Sequence, residues 1–287
     1  MVASMAIFGT IGAFVREISL SSGELALLRA LMALVLIGGY LLIRGGKISL
    51  KLSRKDLILL LLSGGAMGIN WILLFEAYKY TTVSVATLSY YFAPVIVTAV
   101  CPLIFKEKVK ISQVICFAVS TLGLVMILGV GSLGGEDTAG VLFGLGAAVF
   151  YATVMLLNKF IKGVSDLHRT FFQILSSAVV LLPYVLISGG VNFGGLNGRG
   201  IICLITVGVI HTGVAYCLYF SALKDLPGQK AALLSYIDPL IAVIISVLLL
   251  GEKMTVWQVV GGAMILGATL YSELSSAKAK EKTNDQK

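Results

Sequence analysis

Residues 90–108 read YYFAPVIVTAVCPLIFKEK, and residues 235–253 read SYIDPLIAVIISVLLLGEK. An offset of 145 places Tyr91 on Tyr236, Pro94 on Pro239, Glu107 on Glu252 and Lys108 on Lys253. The same offset pairs Gln113 with Gln258, Phe75 with Phe220, Ala77 with Ala222 and Lys79 with Lys224. One shared proline would mean little; eight identities at one offset indicate an internal duplication.

Around these two segments the chain is a succession of apolar stretches, at about 1–18, 23–43, 57–77, 83–104, 111–130, 139–158, 167–188, 200–221, 231–250 and 255–273. A helix needs roughly 20 apolar residues to cross a bilayer, so ten crossings are expected. The stretches are continuously apolar, whereas barrel strands alternate over about ten residues. Each copy holds five helices. Five is odd, so the second copy enters the bilayer from the opposite side. The expected fold is an all-α integral membrane protein of ten transmembrane helices in two inverted five-helix repeats, 1–130 and 139–273. A polar cytoplasmic tail, 274–287, should be disordered from Ser275. Pro94 and Pro239 should kink their helices without ending them.

Composition agrees. Of 287 residues, 58% are apolar and 13% charged, against about 25% charged in an ordinary soluble domain. The mean hydropathy is +0.98. That excludes a soluble enzyme, a coiled coil and a nucleic-acid binder. The net charge of +8 is spread in short clusters between apolar stretches, as membrane topology requires. With the N-terminus inside, seventeen Lys and Arg face inward and four (Arg16, Lys79, Arg199 and Lys253) face outward. Both termini should therefore be cytoplasmic, in the inner membrane of a prokaryote. The first apolar stretch has no basic leader, so a cleavable signal is not expected. Cys101, Cys116, Cys203 and Cys217 lie in apolar stretches without metal-ligand spacing and read as small apolar residues.

The chain resembles the drug/metabolite transporter superfamily, in particular its ten-helix EamA-type permeases. The resemblance rests on FGTIGAF (8–14), LLRA (27–30), APVIVTAV after Tyr91, the KEK turn, and the second-half counterparts DPLIAVIIS and GEK. Where the family usually has Trp before the helix 1 glycine, this chain has Phe8. The resemblance implies a carrier that moves small metabolites, often outward. Relatives export amino acids; other branches carry nucleotide-sugars or triose phosphates, and four-helix cousins carry cationic drugs.

Polar residues within the apolar stretches are candidates for the path, since they are costly in hydrocarbon. Arg29 reads as an interior ion-pair partner, a chain snorkelling outward near Glu24, or an anchor for a substrate carboxylate. Asn70 and Trp71 can hold a polar group over an aromatic wall, although Trp71 also suits an interfacial belt. Glu76 and Lys79 are placed to pair near water. His211 is a satisfied structural histidine or a proton carrier. Asp238, beside Pro239, can carry a proton, pair with an amine, or bond to the backbone that the proline disrupts. Gln173 offers it an amide partner. Tyr91 and Tyr236 are symmetric candidates for an aromatic pocket. Glu107 and Glu252 should pair with neighbouring lysines. Glycine clusters at Gly64, Gly65 and Gly68, at Gly140, Gly144 and Gly146, and at Gly261, Gly262 and Gly267 should pack helices closely. They lie in no phosphate-loop context.

No cofactor or metal is expected. The partners are membrane lipid and a small-molecule substrate, with proton coupling open to His211 and Asp238. The leading reading is an exporter of amino acids or similar amphipathic solutes working by alternating access. One alternative is a carrier of cationic drugs or another metabolite. A passive channel and a membrane enzyme are the others.

Overall fold

The computed structural model describes residues 1–43, 53–105, 111–128, 136–161, 164–223, 226 and 234–284. Its helices are α1 (Val2–Arg16), α2 (Ser22–Ile43), α3 (Arg54–Tyr80), α4 (Val83–Tyr90), α5 (Ala93–Phe105) and α6 (Ile111–Leu128). They continue as α7 (Glu136–Asn158), α8 (Asp166–Ile187), α9 (Gly198–Thr206), a π-helical segment (Val207–Val214) and α10 (Ala215–Leu223). The last two are α11 (Ile237–Leu248) and α12 (Val256–Asn284). Joining α4 to α5, and α9 to α10 through the π segment, gives ten apolar runs among the described residues. Six are long and apolar enough to cross a membrane; Val2–Arg16, Ile111–Ile127, Ile237–Leu248 and Val256–Ser272 are shorter.

The pattern of burial is that of a protein dissolved in lipid. Ile43, Leu103, Ile187 and Leu248 are 79–88% exposed, a cost in water and none in hydrocarbon. The buried set includes Arg29, Asn70, Gln173, His211 and many serines and threonines. Such side chains bond across helices where lipid offers no hydrogen bonds. The chain is thus a multi-pass, all-α integral membrane protein.

Several starts are written locally. Ser53 accepts from the Asp56 amide at 3.0 Å, Thr82 from Val85 at 3.2 Å and Asn197 from Gly200 at 2.8 Å, capping α3, α4 and α9. The long α3 packs along α7 and α8, α1 along α11 and α10, α2 along α8 and the π segment, and α6 along α12. Element bounds follow the sequence offset: α2 moved by 145 falls on 167–188, where α8 lies, and α6 falls on 256–273, the first part of α12.

Glycine sets the closest of these contacts. A Cβ on Gly64 would lie 2.5 Å from the Gln173 carbonyl oxygen on α8, whereas one on Gly65 would meet only Val180, at an ordinary 3.7 Å. Gly64→Ala should therefore lower the thermal midpoint of the detergent-purified protein, at a cost of about 1–3 kcal/mol, while Gly65→Ala leaves it nearly unchanged. Equal midpoints for the two variants would refute this account of the α3–α8 contact. Of the other clustered glycines, Gly140, Gly144, Gly261 and Gly262 also sit against neighbouring elements, but a Cβ on Gly267 would meet nothing within 4 Å among the described residues.

The proline-containing runs differ from the single kinked helices expected. The first is two helices, parted at Tyr91–Phe92. The Phe92 amide reaches back three residues to Ser89, and the Val95 and Ile96 amides both bond the Phe92 carbonyl. Pro94 consequently sits in the first turn of α5, where its missing N–H costs nothing. Tyr236 likewise occupies a turn immediately before α11, with Pro239 in that helix's first turn. The expected 231–250 helix is Ile237–Leu248; 231–233, Glu107 and Lys108 lie outside the described residues. The disordered tail is corrected too. α12 runs on through Asn284, because Ala, Lys and Glu are strong helix formers.

Candidate functional site

Arg29 lies on the inner face of α2, 4% exposed. It does not snorkel, and among the described residues it forms no ion pair. Its Nε donates to Thr212 Oγ1 at 3.1 Å, and its guanidinium lies 4.3 Å from the Trp71 ring centroid and 5.2 Å from that of Phe75. Among the described residues, no carboxylate comes within 4 Å of it, and its terminal nitrogens make no hydrogen bond. Glu24, the outward partner considered for it, accepts instead from the amides of Ser21 and Asn192. Trp71 is buried beneath the cation, which removes it from the interfacial belt.

Thr212 is held by the π segment. Its hydroxyl donates to the Val207 carbonyl at 2.9 Å, five residues back. The ring of His211 approaches the Thr206 carbonyl through Nδ1 at 3.2 Å, also five residues back. These side chains supply bonds at the wide π spacing, which recurs at functional sites. His211 Nε2 meets Thr10 Oγ1 at 2.9 Å, and the Phe14 ring stacks obliquely on the imidazole at 4.9 Å. The Thr10 hydroxyl also donates to the Ile7 carbonyl at 2.8 Å. Each ring nitrogen of His211 thus has a polar partner, Thr10 at Nε2 and the Thr206 carbonyl at Nδ1.

Asp238 opens the first turn of α11. Its Oδ2 accepts from the Tyr91 hydroxyl at 2.7 Å, across the two halves of the chain. Tyr78, Tyr90 and Tyr216 lie within electrostatic range of both Arg29 and Asp238. The cation and the carboxylate thus act electrostatically on the same phenols. Tyr90 stacks on Tyr151 at 5.1 Å, and Phe8 packs on Tyr216 at 5.3 Å. Tyr236 is buried at the start of α11.

Two predicted residues serve elsewhere. Asn70 Nδ2 donates to the Ala147 carbonyl at 2.6 Å, tying α3 to α7. Gln173 is not the partner of Asp238. Its Nε2 donates to Ser63 and to Asn158, each at 2.7 Å, and so joins α8 to α3 and α7. Glu76 does pair with Lys79, at 3.1 Å, and also takes the Ser22 hydroxyl. Glu252 does not pair with neighbouring Lys253; its partner is Arg16. Reading that pair from sequence needed the outward charge count, which puts both groups at the same end of the bundle. All four cysteines are free thiols.

The arrangement offers a cation with donors unused among the described residues, a carboxylate, phenol hydroxyls and ring faces.

The sequence model of the EamA-like transporter family matches residues 1–129 and again 138–272. The uncharacterized transporter YxxF of Bacillus subtilis (strain 168) is 31% identical over 268 residues, covering 92% of this chain and 85% of that protein. An uncharacterized transporter of Archaeoglobus fulgidus is 29% identical over 276 residues, 95% of this chain and 94% of its own. A solved protein crystal structure at 17% identity aligns over 95% of this chain and 94% of the other with a TM-score of 0.64, a likeness of fold alone. A buried polar cluster inside a lipid-facing helical bundle and a family match over both parts of the chain lead to one conclusion: the chain belongs to the EamA-like transporter family, within the drug/metabolite transporters, and is a membrane transporter of a small solute rather than an enzyme.

Proposed function

We infer that the chain is a secondary carrier that exports amino acids or similarly small amphipathic carboxylates across the inner membrane of a prokaryote, with both termini cytoplasmic. The observation that carries this reading is Arg29, a buried cation whose terminal nitrogens make no hydrogen bond among the described residues. A carboxylate suits those paired donors. The substrate amine would face Asp238, and an apolar body would lie on the rings of Tyr90, Tyr151 and Tyr216. A phosphorylated solute would require several converging cations, and a purely cationic drug would be repelled by Arg29.

Movement follows from the duplication. Two inverted five-helix repeats, 1–130 and 139–273, present two alternative packings about one central site, so the site opens to one side at a time. Asp238 carries the coupled proton. The test is thermal-shift and counterflow screening of the purified protein against amino acids, nucleosides, sugar phosphates and quaternary amines. Selective stabilisation by an amino acid, lost in Tyr91→Ala, is expected. Selective binding of a sugar phosphate would overturn the assignment.

A further inference from the structure

Arg16, Thr81, Ser246 and Glu252 form a second polar cluster that the central site does not use. Arg16 ends α1 and pairs with Glu252. Its Nη2 also donates to the Thr81 carbonyl at 2.5 Å. Glu252 Oε2 accepts from the Ser246 hydroxyl and, at 2.9 Å, from the Val83 amide in the first turn of α4. The Ser84 amide donates to Ser246 Oγ at 3.3 Å. Thr81 donates to Asp137 on α7 at 2.8 Å. One cluster therefore ties α1 and α4, from the first part of the chain, to α7, α11 and Glu252, four residues past α11, from the second.

The same helices line the central site. Thr10 and Arg16 are six residues apart on α1, about 9 Å along a helix. Val83 and Tyr91 span eight residues, as do Asp238 and Ser246, about 12 Å each. The cluster thus lies roughly two turns beyond the site, toward one end of the bundle. Between the two levels α1 closes directly on its neighbours. A Cβ on Gly9 would strike the Asp238 carbonyl oxygen and Ile241, and one on Gly12 would strike Val83. The Glu252 side chain is 7% exposed and that of Arg16 is 32% exposed. These are reversible polar bonds near the ends of helices. They can part and rehydrate without tearing an apolar core.

The geometry points to Arg16–Glu252 as the latch that shuts this end of the path, opening when α1 and α4 part from α11. This rests on the alternating-access reading of the central site. Removing either partner leaves the other charge uncompensated, so the closed state loses its advantage.

The experiment reads access, without substrate. In a background with Cys101, Cys116, Cys203 and Cys217 replaced by alanine, Thr87→Cys, one turn before Tyr91 on α4, reports entry of a membrane-impermeant methanethiosulfonate. Rates are measured in right-side-out and inverted vesicles. Glu252→Gln and Arg16→Gln should each raise the rate about tenfold from one face only. The double variant should add little more, and Lys253→Gln should do nothing. The swap Arg16→Glu with Glu252→Arg should restore slow labelling, which separates a latch from misfolding. Unchanged rates, or an equal rise from both faces, would overturn the latch and leave the substrate assignment standing. A failed substrate screen with a working latch would do the reverse.

Discussion

Arg29→Met is expected to weaken substrate binding about a hundredfold and leave the protein folded. The methionine keeps an unbranched chain over Trp71 and Phe75, which now lie 4.3 and 5.2 Å from the guanidinium. It also removes a buried charge that no carboxylate compensates within 4 Å among the described residues. Replacing buried charge by apolar volume is often neutral or stabilising, by about 1–4 kcal/mol. Thr212 keeps its own bond to the Val207 carbonyl, so the π segment loses little. The substrate loses a two-pronged charge-assisted contact, worth about 3 kcal/mol or more, a rise in Kd on the order of a hundredfold. Arg29→Lys should lie between, because an ammonium keeps the charge but neither the fork nor the flat face on Trp71. The measurement pairs thermal unfolding with the substrate-induced shift. An Arg29→Met protein that is still stabilised by substrate would refute the anchor, and one that unfolds on purification would refute the claim that the charge is dispensable for folding.

The ten apolar runs, the recurrence at an offset of 145 and the interior place of Arg29 were legible because each depends on local chemistry. A proline three residues after a tyrosine recurs whatever surrounds it, and an arginine in an apolar stretch is conspicuous before any neighbour is known. Partner choice was less legible. Gln173 and Asn70 looked like path residues, yet both tie helices together. Which amide bonds a neighbouring helix and which faces the site depends on helix rotation, and the short polar side chains that decide it leave weak periodicity. The Arg16–Glu252 contact spans nearly the whole chain, so neighbouring lysines seemed the simpler partners. The π segment was illegible for a related reason. It adds one residue to a turn, and only the side-chain bonds at five-residue spacing, from His211 and Thr212, reveal it.

Asp238→Asn should uncouple transport from an imposed pH gradient while leaving exchange largely intact. The carboxylate stands in the first turn of α11, where a helix dipole favours negative charge. It accepts from Tyr91 at 2.7 Å. Around it are Tyr78, Tyr90 and Tyr216, which also lie within range of Arg29. Asparagine keeps the shape and can still accept from Tyr91, but it cannot carry a proton. One pH unit supplies about 1.4 kcal/mol per proton, or about tenfold accumulation. That tenfold should vanish in Asp238→Asn proteoliposomes, with exchange in the absence of a gradient remaining within a few-fold of the parent. Tyr91→Phe retains the carboxylate and should retain coupling. His211→Gln should retain it as well, since both ring nitrogens of His211 are held by Thr10 and the Thr206 carbonyl. Loss of coupling in His211→Gln with coupling preserved in Asp238→Asn would move the proton to the histidine. Parent protein indifferent to the gradient would leave Asp238 as an amine-binding group alone, and the carrier would then run on the substrate gradient.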